Sequence, residues 1–307
     1  MKASYYSHGK LLISGEYLVL DGATALAVPT RQGQSLRVSP SETATGLEWV
    51  SRNPDGSTWF ETRFENNEFR NAGRDPAFPA DLRARLLYIL TAAAEMNPGF
   101  LVKLEGARAE TQLEFPREWG LGSSSTLISN LAFWADIDPY ALLEATLGGS
   151  GYDIAAARSE NPFFYSLTPQ KIPVTIPAPF FPPFADTLFF VYLNQKQDSR
   201  EGIARYRKQG SPPKKVLDEV SGLSEQMARA ANLEAFRKLI DAHEILVGEI
   251  LGMEPVKNRW FGDYPGSIKS LGAWGGDFIL ATGKAAEQDY FRKKGYQVIR
   301  PYREFIL

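Results

Sequence analysis

Apolar residues in the first third of the chain come in short runs broken by glycine, proline and Asp-Gly pairs. Runs of this length between turn residues are typical of β-strands. We therefore expect strands over residues 10–13, 17–20, 25–29, 36–38, 47–50, 58–64, 100–104 and 111–115. Residues 81–95 instead carry apolar side chains at helical spacing and run into Asn97, Pro98 and Gly99, which predicts a helix that stops there.

In the later part of the chain, apolar residues more often recur at helical spacing. This part predicts helices over about 124–135, 139–147, from 151 onward, 200–208, 214–231 and 233–251, with strands at 188–193 and near the C-terminus. Six prolines between residues 168 and 188 disfavour helix and central strand, so a domain boundary is expected there. The chain is predicted to be α+β, with domains at 1–182 and 183–307.

Composition narrows the function classes. The 307 residues are 44% apolar, which is enough for two cores, and the formal charge is −2 with charges spread along the chain. Nucleic-acid binding would need clustered Lys and Arg, so none is expected. No cysteine is present, which excludes disulfides and thiol nucleophiles. With no signal peptide or membrane-spanning run in the sequence, we predict a cytoplasmic protein without a membrane partner.

The stretch PREWGLGSSST carries the strongest chemical signal. Gly120 and Gly122 allow a ligand to approach the backbone, and the serines that follow fall in the first turn of a predicted helix. Unpaired N–H groups there favour an anion such as phosphate, and hydroxyl oxygens suit Mg²⁺. A turn with an ordinary serine N-cap is the alternative. The segment is not a Walker A loop, because no lysine follows the glycines, and it lacks the Gly-x-Ser-x-Gly of a hydrolase.

Two further segments carry candidate residues. In LGGSGYDIAAARS, Asp153 opens an Ala-rich helix, either as a catalytic carboxylate or as the partner of Ser150 in a capping box. In HGKLLISGEYLVLDG, Lys10 precedes a strand and Glu16 follows a glycine. Each of these two residues has an ordinary surface role as its alternative, but together with a phosphate loop they would suit ATP and Mg²⁺.

The chain resembles the GHMP small-molecule kinases, a family that includes galactokinase, homoserine kinase, mevalonate kinase and phosphomevalonate kinase. Three segments occur in the family's order: GKLLISGEYLVLDG, then Pro-x3-GLGSSS, then SLGAWGGDFILATG. The first segment and GSGYDIAAA are similar to the mevalonate-pathway members, and GYDIA resembles a bacterial subgroup. The resemblance implies an α+β fold with ATP in the cleft between an N-terminal α/β domain and a C-terminal ferredoxin-like domain.

The resemblance also implies a role for each motif residue. The ATP phosphates would be cradled by Gly120, Leu121, Gly122, Ser123, Ser124 and Ser125. The Ser124 hydroxyl would bind Mg²⁺, and Glu16 would hold it directly or through water. Asp153 would orient or deprotonate the acceptor hydroxyl, while Lys10 would pair with Asp153 and with the developing phosphate charge.

Several positions depart from the family pattern or are less specific. Trp274 and Asp277 interrupt the late glycine motif: the indole is expected to narrow the loop, and Asp277 is either a lost function or an extra metal ligand. Only 29 positions separate Ser124 from Asp153, which is shorter than in mevalonate kinases. Ser199 and Arg200 are candidate acceptor contacts, but the favoured interpretation is a solvated helix start with Ser199 as its N-cap.

We therefore expect an ATP- and Mg²⁺-dependent kinase that phosphorylates a hydroxyl group of a small metabolite, first of all mevalonate, as a monomer or homodimer. Phosphomevalonate is the alternative acceptor, and it would require additional cationic residues. The ATP-dependent decarboxylase of the same pathway shares the fold. A non-catalytic ligand-binding relative is the alternative from another class, and a hydrolase comes third.

Overall fold

The computed structural model describes residues 2–42, 45–71, 78–195, 199–272, 274 and 276–307. Its strands, in chain order, are β1 (Ala3–Ser14), β2 (Ala25–Pro40), β3 (Leu47–Arg52), β4 (Thr58–Phe64), β5 (Ala107–Leu113), β6 (Phe163–Leu167), β7 (Pro173–Pro177), β8 (Leu188–Tyr192), β9 (Ile268–Ser270), β10 (Phe278–Thr282) and β11 (Ile299–Pro301). Its helices are α1 (Asn66–Asn71), α2 (Leu82–Met96), α3 (Phe100–Leu104), α4 (Ser123–Ala135), α5 (Pro139–Glu144), α6 (Tyr152–Arg158), α7 (Ser199–Lys208), α8 (Lys214–Ala228), α9 (Leu233–Leu251), α10 (Val256–Trp260), α11 (Ala285–Lys293) and α12 (Tyr302–Phe305).

The chain forms two compact units, and each unit draws on several stretches of sequence. Unit 1 comprises Met1–Gly9, Gln32–Arg117 and Gly122–Arg158, and unit 2 comprises Lys10–Arg31, Glu118–Leu121 and Ser159–Leu307. Strands β1 and β2 therefore contribute residues to both units. The division at residue 182 stays a prediction.

Unit 1 is a sheet covered by helices. Its strand order is β4-β3-β5-β2, in which β3 and β5 are parallel and the other pairs are antiparallel. Helices α2 and α4 bury their apolar sides in one core together with Trp49, Phe64 and Phe100. The N-cap of α2 is Asp81, whose carboxylate accepts a hydrogen bond from the N–H of Ala84 at 2.8 Å.

Unit 2 contains a smaller antiparallel set of strands and a separate sheet. The N-terminal part of β2 pairs with β6, which pairs with β7. The proline-rich segment thus supplies strand β7 at the end of this order, where missing N–H donors are tolerated. The separate sheet has the antiparallel order β11-β8-β10-β9 and packs its apolar side against Phe261 and Phe291.

Two predicted strands are wrong. Residues 100–104 form helix α3, because Phe100 and Leu104 are buried one turn apart whereas Val102 between them is 77% exposed. Residues 17–20 fall in a buried 3-10 turn, Leu18–Asp21. A short apolar run cannot distinguish a strand from a buried turn by its periodicity.

The long predicted helices agree with the structure. The predicted helix at 81–95 is α2, the one at 124–135 is α4, and those at 214–231 and 233–251 are α8 and α9. None of the helices in the described part of the chain combines the length and the hydropathy needed to cross a membrane.

Candidate functional site

The two halves of the predicted phosphate loop belong to different units. In unit 2, Gly120 has a φ of +67°, and a Cβ atom there would lie 2.3 Å from the carboxylate of Asp277. Only glycine fits this position. The Lys10 ammonium donates to the carbonyl oxygen of Gly120 at 3.0 Å, and the Lys10 N–H donates to that of Leu121 at 3.0 Å. Lys10 thus holds two consecutive carbonyls of the loop.

In unit 1 the loop continues into helix α4. Gly122 is the N-cap with a φ of +93°, and it has no side chain with which to cap the helix. The first helical residue is Ser123, one position before the predicted start. The first-turn N–H groups of a helix have no partner within the helix, so this end offers donors to an anion.

The three serines have different surroundings. The Ser125 hydroxyl is buried and donates to the carbonyl of Gly122 at 2.9 Å. Ser124 is exposed, and Ser123 is half-buried. Ser124 is therefore the serine whose hydroxyl is most accessible to a ligand, whereas Ser125 stabilises the start of the helix.

Helix α4 is held by a buried polar network of unit 1. The Ser7 hydroxyl lies 2.9 Å from both the Ser129 hydroxyl and Oδ1 of Asn130. The Asn130 amide donates to the carbonyl of Gln34 at 2.9 Å, and the Thr126 hydroxyl donates to Oε1 of Gln34 at 2.6 Å. These hydrogen bonds tie α4 to β1 and β2 and fix the direction in which its first turn faces.

Asp153 lies in the first turn of α6, directly after a turn in which Gly148, Gly149 and Gly151 all have positive φ. Its Oδ1 accepts from the N–H of Ile154 at 3.1 Å, and the side chain is half-buried. Helices α4 and α6 pack against each other, so unit 1 brings the helix of Ser124 next to the helix of Asp153. The predicted pairing of Asp153 with Lys10 stays a prediction.

Arg158, the last residue of α6, connects this helix to α4. Its Nε donates to the Ser129 hydroxyl at 3.4 Å, and its guanidinium lies 3.5 Å from the ring centroid of Phe133. Both partners belong to α4. Burial lowers the pKa of Arg158 from its ordinary value. The contact is a cation–π interaction that joins the two helices.

Glu16 lies in a group of buried ionisable residues of unit 2, which we term the buried charge cluster: Glu16, His243, Glu244 and Lys269. Nζ of Lys269 is 2.6 Å from Oε1 of Glu16 and 3.0 Å from Oε1 of Glu244. The Ser270 hydroxyl donates to Oε2 of Glu244 at 2.6 Å. The cluster joins the turn that follows β1, helix α9 and strand β9.

His243 completes the cluster as a neutral imidazole. Its Nε2 accepts the N–H of Gly15 at 3.1 Å and lies 3.7 Å from Oε2 of Glu16. Because Nε2 is an acceptor, the ring proton is on Nδ1. Burial and the nearby Lys269 ammonium hold the pKa of His243 well below its ordinary value.

The charges in the cluster do not balance, since two carboxylates share one ammonium. Burial raises the pKa of Glu16 to about 7, although Lys269 opposes this shift. Burial likewise raises the pKa of Glu244. Burial alone would lower the pKa of Lys269, but the two carboxylates outweigh it and raise the value. Glu16 is thus tightly engaged in the interior of unit 2, and its role as a magnesium ligand stays a prediction.

Sequence reasoning missed three members of this cluster. Within α9, His243 and Glu244 occupy the buried side that Phe236, Ile240 and Val247 define. Lys269 lies in the middle of the fully buried strand β9. The available signal was a charged or polar residue at a position where the periodicity predicts an apolar one. Charged residues are rarely buried unless they are paired, so such a position indicates a buried pair.

The late glycine motif, SLGAWGGDFILATG, contributes Trp274 to the core of unit 2. Trp274 has a φ of +59° and is fully buried in a cluster with Tyr17, Val247 and Leu251. A Cβ on Gly248 would come within 3.1 Å of the indole. The indole is therefore a core side chain of unit 2, whereas residues 273 and 275 lie outside the described part of the chain.

Helix α7 begins at Ser199, and the side chains of Ser199 and Arg200 lie outside the described residues. Within the described part of the chain, no group of three or more His, Asp and Glu side chains is placed to hold a metal ion.

No protein-family model matches the chain. No curated protein matches its sequence either. Solved structures do resemble it. The L. major mevalonate kinase in complex with R-mevalonate has a TM-score of 0.67 at 17% identity, over 99% of this chain and 95% of that one.

Two other solved structures extend the likeness. The Streptococcus pneumoniae phosphomevalonate kinase in complex with phosphomevalonate and AMPPNP has a TM-score of 0.70 at 16% identity, over 97% of this chain and 99% of that one. The Lactococcus lactis galactokinase complexed with galactose has a TM-score of 0.61 at 13% identity, over 95% and 88%. The chain therefore has the α+β fold of these small-molecule kinases, and the predicted fold class is confirmed.

Proposed function

We propose that the protein is an ATP- and Mg²⁺-dependent kinase that transfers a phosphoryl group to a hydroxyl of a small metabolite. The first candidate acceptor is mevalonate. The fold supports this class of activity, because proteins that bind mevalonate, phosphomevalonate with AMPPNP, or galactose share it. The proposal rests above all on the turn at the start of α4.

That turn has the properties of a phosphate site. Gly122 leaves the end of α4 without a side-chain cap, and Ser124 presents its hydroxyl to solvent. The backbone from Gly120 to Ser125 would hold the ATP phosphates, and the Ser124 hydroxyl would be a ligand of Mg²⁺. The metal ion would neutralise charge on the transferred group.

Asp153 and Lys10 would act on the reacting groups. Phosphoryl transfer through a loose transition state needs an oriented acceptor more than a strong base. Asp153, fixed in the first turn of α6, would accept a hydrogen bond from the acceptor hydroxyl and take its proton late in the reaction. Lys10 would stabilise the negative charge that develops on the phosphoryl oxygens.

The proposal is tested by measuring ADP release with Mg²⁺-ATP and five acceptors: mevalonate, phosphomevalonate, diphosphomevalonate, homoserine and galactose. Carbon dioxide is followed in parallel, since its release would indicate the decarboxylase. A single strong acceptor without carbon dioxide supports the kinase and identifies its substrate. The Asp153→Ala variant is the control for contaminating kinases.

Two results would contradict the proposed kinase activity. If Mg²⁺-AMPPNP binds but no acceptor on the panel or in a wider set of hydroxylated metabolites stimulates ADP release, the protein is a non-catalytic binder. If AMPPNP does not bind at all, the phosphate-loop assignment is wrong as well.

A further inference from the structure

We propose that Asp277 is a positioning residue of the phosphate loop, which keeps the Gly120 turn in place by close packing and does not bind a cation. This inference rests on the proposed function, because it assigns a residue to that same loop. It concerns the acidic residue of the late glycine motif, for which the proposed reaction has no role.

The contact between Asp277 and Gly120 is tight. A Cβ atom on Gly120 would lie 2.3 Å from Cγ, 2.3 Å from Oδ2 and 2.8 Å from Oδ1 of Asp277. The carboxylate therefore lies directly against the α-carbon of Gly120. A side chain of any other residue at position 120 would occupy the same space.

Oδ2 of Asp277 also lies close to a second glycine. A Cβ on Gly272, which has a φ of +62°, would lie 3.2 Å from that oxygen. The carboxylate is thus packed between the backbones of two glycine turns from distant parts of the sequence. Asp277 is only 8% exposed, so solvent does not separate it from either turn.

Asp277 is carried by rigid backbone. Its carbonyl oxygen accepts the N–H of Leu193 at 2.9 Å, and the next residue, Phe278, pairs with Tyr192 across β10 and β8. The side chain therefore starts from a fixed point directly before β10, an interior strand of the sheet. On the loop itself, the Lys10 ammonium holds the carbonyl of Gly120 at 3.0 Å. The glycine is constrained at its α-carbon by Asp277 and at its carbonyl by Lys10.

The observations that carry this inference are close approaches of the side chain to two glycines, so the positioning role is assigned to its shape. Asparagine has nearly the same shape without the charge, whereas alanine removes the contact. The two substitutions separate positioning from cation binding. Asp241→Ala is the control, because Asp241 is another acid of unit 2 and accepts from Ser267 at 3.0 Å.

The first measurement is the Kd of Mg²⁺-AMPPNP by calorimetry, together with KM for ATP, kcat and the half-saturating Mg²⁺ concentration. We expect Asp277→Ala to weaken nucleotide binding and raise KM about tenfold, with kcat at saturation changed less than about threefold. Asp277→Asn and Asp241→Ala should stay within about threefold of the wild type in every quantity. The inference is overturned if Asp277→Ala has no effect. It is also overturned if Asp277→Asn matches Asp277→Ala and raises the Mg²⁺ requirement, because the carboxylate is then a cation ligand.

A double-mutant cycle tests the contact itself. Gly120→Ala should weaken AMPPNP binding at least tenfold in the wild type but clearly less in the Asp277→Ala background, because the obstructing carboxylate is gone. A residual effect will remain from the positive φ of Gly120. Equal effects in both backgrounds would mean that Asp277 does not constrain this glycine.

Amide hydrogen exchange in nucleotide-free protein makes the test independent of the proposed function. Asp277→Ala should speed exchange in the peptide covering residues 118–125, whereas Asp277→Asn should not. If the wild type binds no nucleotide but this difference appears, the proposed function fails and the positioning role stands. Unchanged exchange in both variants contradicts the positioning role, whatever the protein binds.

Discussion

Nζ of Lys269 lies 2.6 Å from Oε1 of Glu16, and neither side chain is more than 1% exposed. This ion pair connects β9 with the turn that directly follows β1, the strand that carries Lys10. Burying such charges costs several kcal/mol per ion, which only close pairing offsets. The cluster therefore gives unit 2 little net stability, but it makes the unit sensitive to the loss of either partner.

Lys269→Met should be strongly destabilising. The substitution leaves Glu16 and Glu244 buried without a cation, so we expect unit 2 to lose about 3 to 5 kcal/mol of unfolding free energy. Urea unfolding followed by tryptophan fluorescence measures the loss. The matched control is Lys238→Met, which removes an exposed lysine that pairs with Glu234 at 2.8 Å and should cost at most about 0.5 kcal/mol. Similar losses for both variants would contradict the cluster.

The stability of wild type relative to Glu16→Gln should fall as the pH rises. The pKa of Glu16 is raised to about 7 from 4.5, so between these values the folded state binds more protons than the unfolded state. Its contribution is fully present below pH 4.5 and is lost as the pH rises through 7. Glutamine resembles the protonated acid and has no such dependence.

Urea unfolding of both proteins at pH 5 and pH 8 should show a change of up to about 3 kcal/mol in their difference, with the wild type relatively weaker at pH 8. A constant difference would mean that Glu16 is ionised throughout this range. The same variant tests the predicted metal role of Glu16. A raised Mg²⁺ requirement in the ADP-release assay would favour that role, and an unchanged requirement would exclude it.

Asp153→Ala should abolish phosphoryl transfer while leaving nucleotide binding intact. The residue is proposed to act on the acceptor hydroxyl, so kcat should fall by at least about a thousandfold and the Kd of Mg²⁺-AMPPNP should change less than about threefold. Asp138→Ala, at the N-cap of α5 in the same unit, is a structural control that should keep its activity at a modest cost in stability. Turnover near the wild-type value in Asp153→Ala would show that the acid is not catalytic.

Ser124 and Ser125 provide a matched pair of substitutions in one helical turn. Ser124→Ala should raise the Kd of Mg²⁺-AMPPNP about tenfold, because the exposed hydroxyl is the proposed magnesium ligand. Ser125→Ala removes the hydrogen bond to Gly122 and should lower stability by about 1 kcal/mol. Calorimetry and thermal unfolding separate the two effects. Equal nucleotide affinity in wild type and Ser124→Ala would contradict the assignment.

The sequence predicted the helices in which apolar residues recur at regular spacing over several turns. Helices α2, α4, α8 and α9 each extend over several turns with one apolar side, so their periodicity is distinct. The failures at 100–104 and 17–20 are short runs with four apolar residues each, in which tertiary packing decides between strand, helix and turn. Residue type carries too little information over that length.

The site could be predicted only where its residues stand in compact motifs. Gly120 and Gly122 stand out in the sequence because they lie next to a run of serines, and both have a positive φ in the structure. The engagement of Glu16 by Lys269 could not be foreseen, since 253 positions separate the two residues and only the fold brings them together. Asp277 was identified as an anomaly, but its contact with Gly120 depends on the packing of two distant turns.

The interleaving of the two units along the chain has a consequence for biosynthesis. Lys10–Arg31 belongs to unit 2 but is translated long before Ser159–Leu307, with nearly all of unit 1 in between. On the ribosome, Glu16 must stay hydrated until Lys269 has been translated. Until then, the turn Leu18–Asp21 has no core in which to bury its apolar side chains. Unit 1 can therefore complete its core first, and unit 2 closes only when the late segment of the nascent chain returns to the early one and dehydrates Glu16 and Lys269 together.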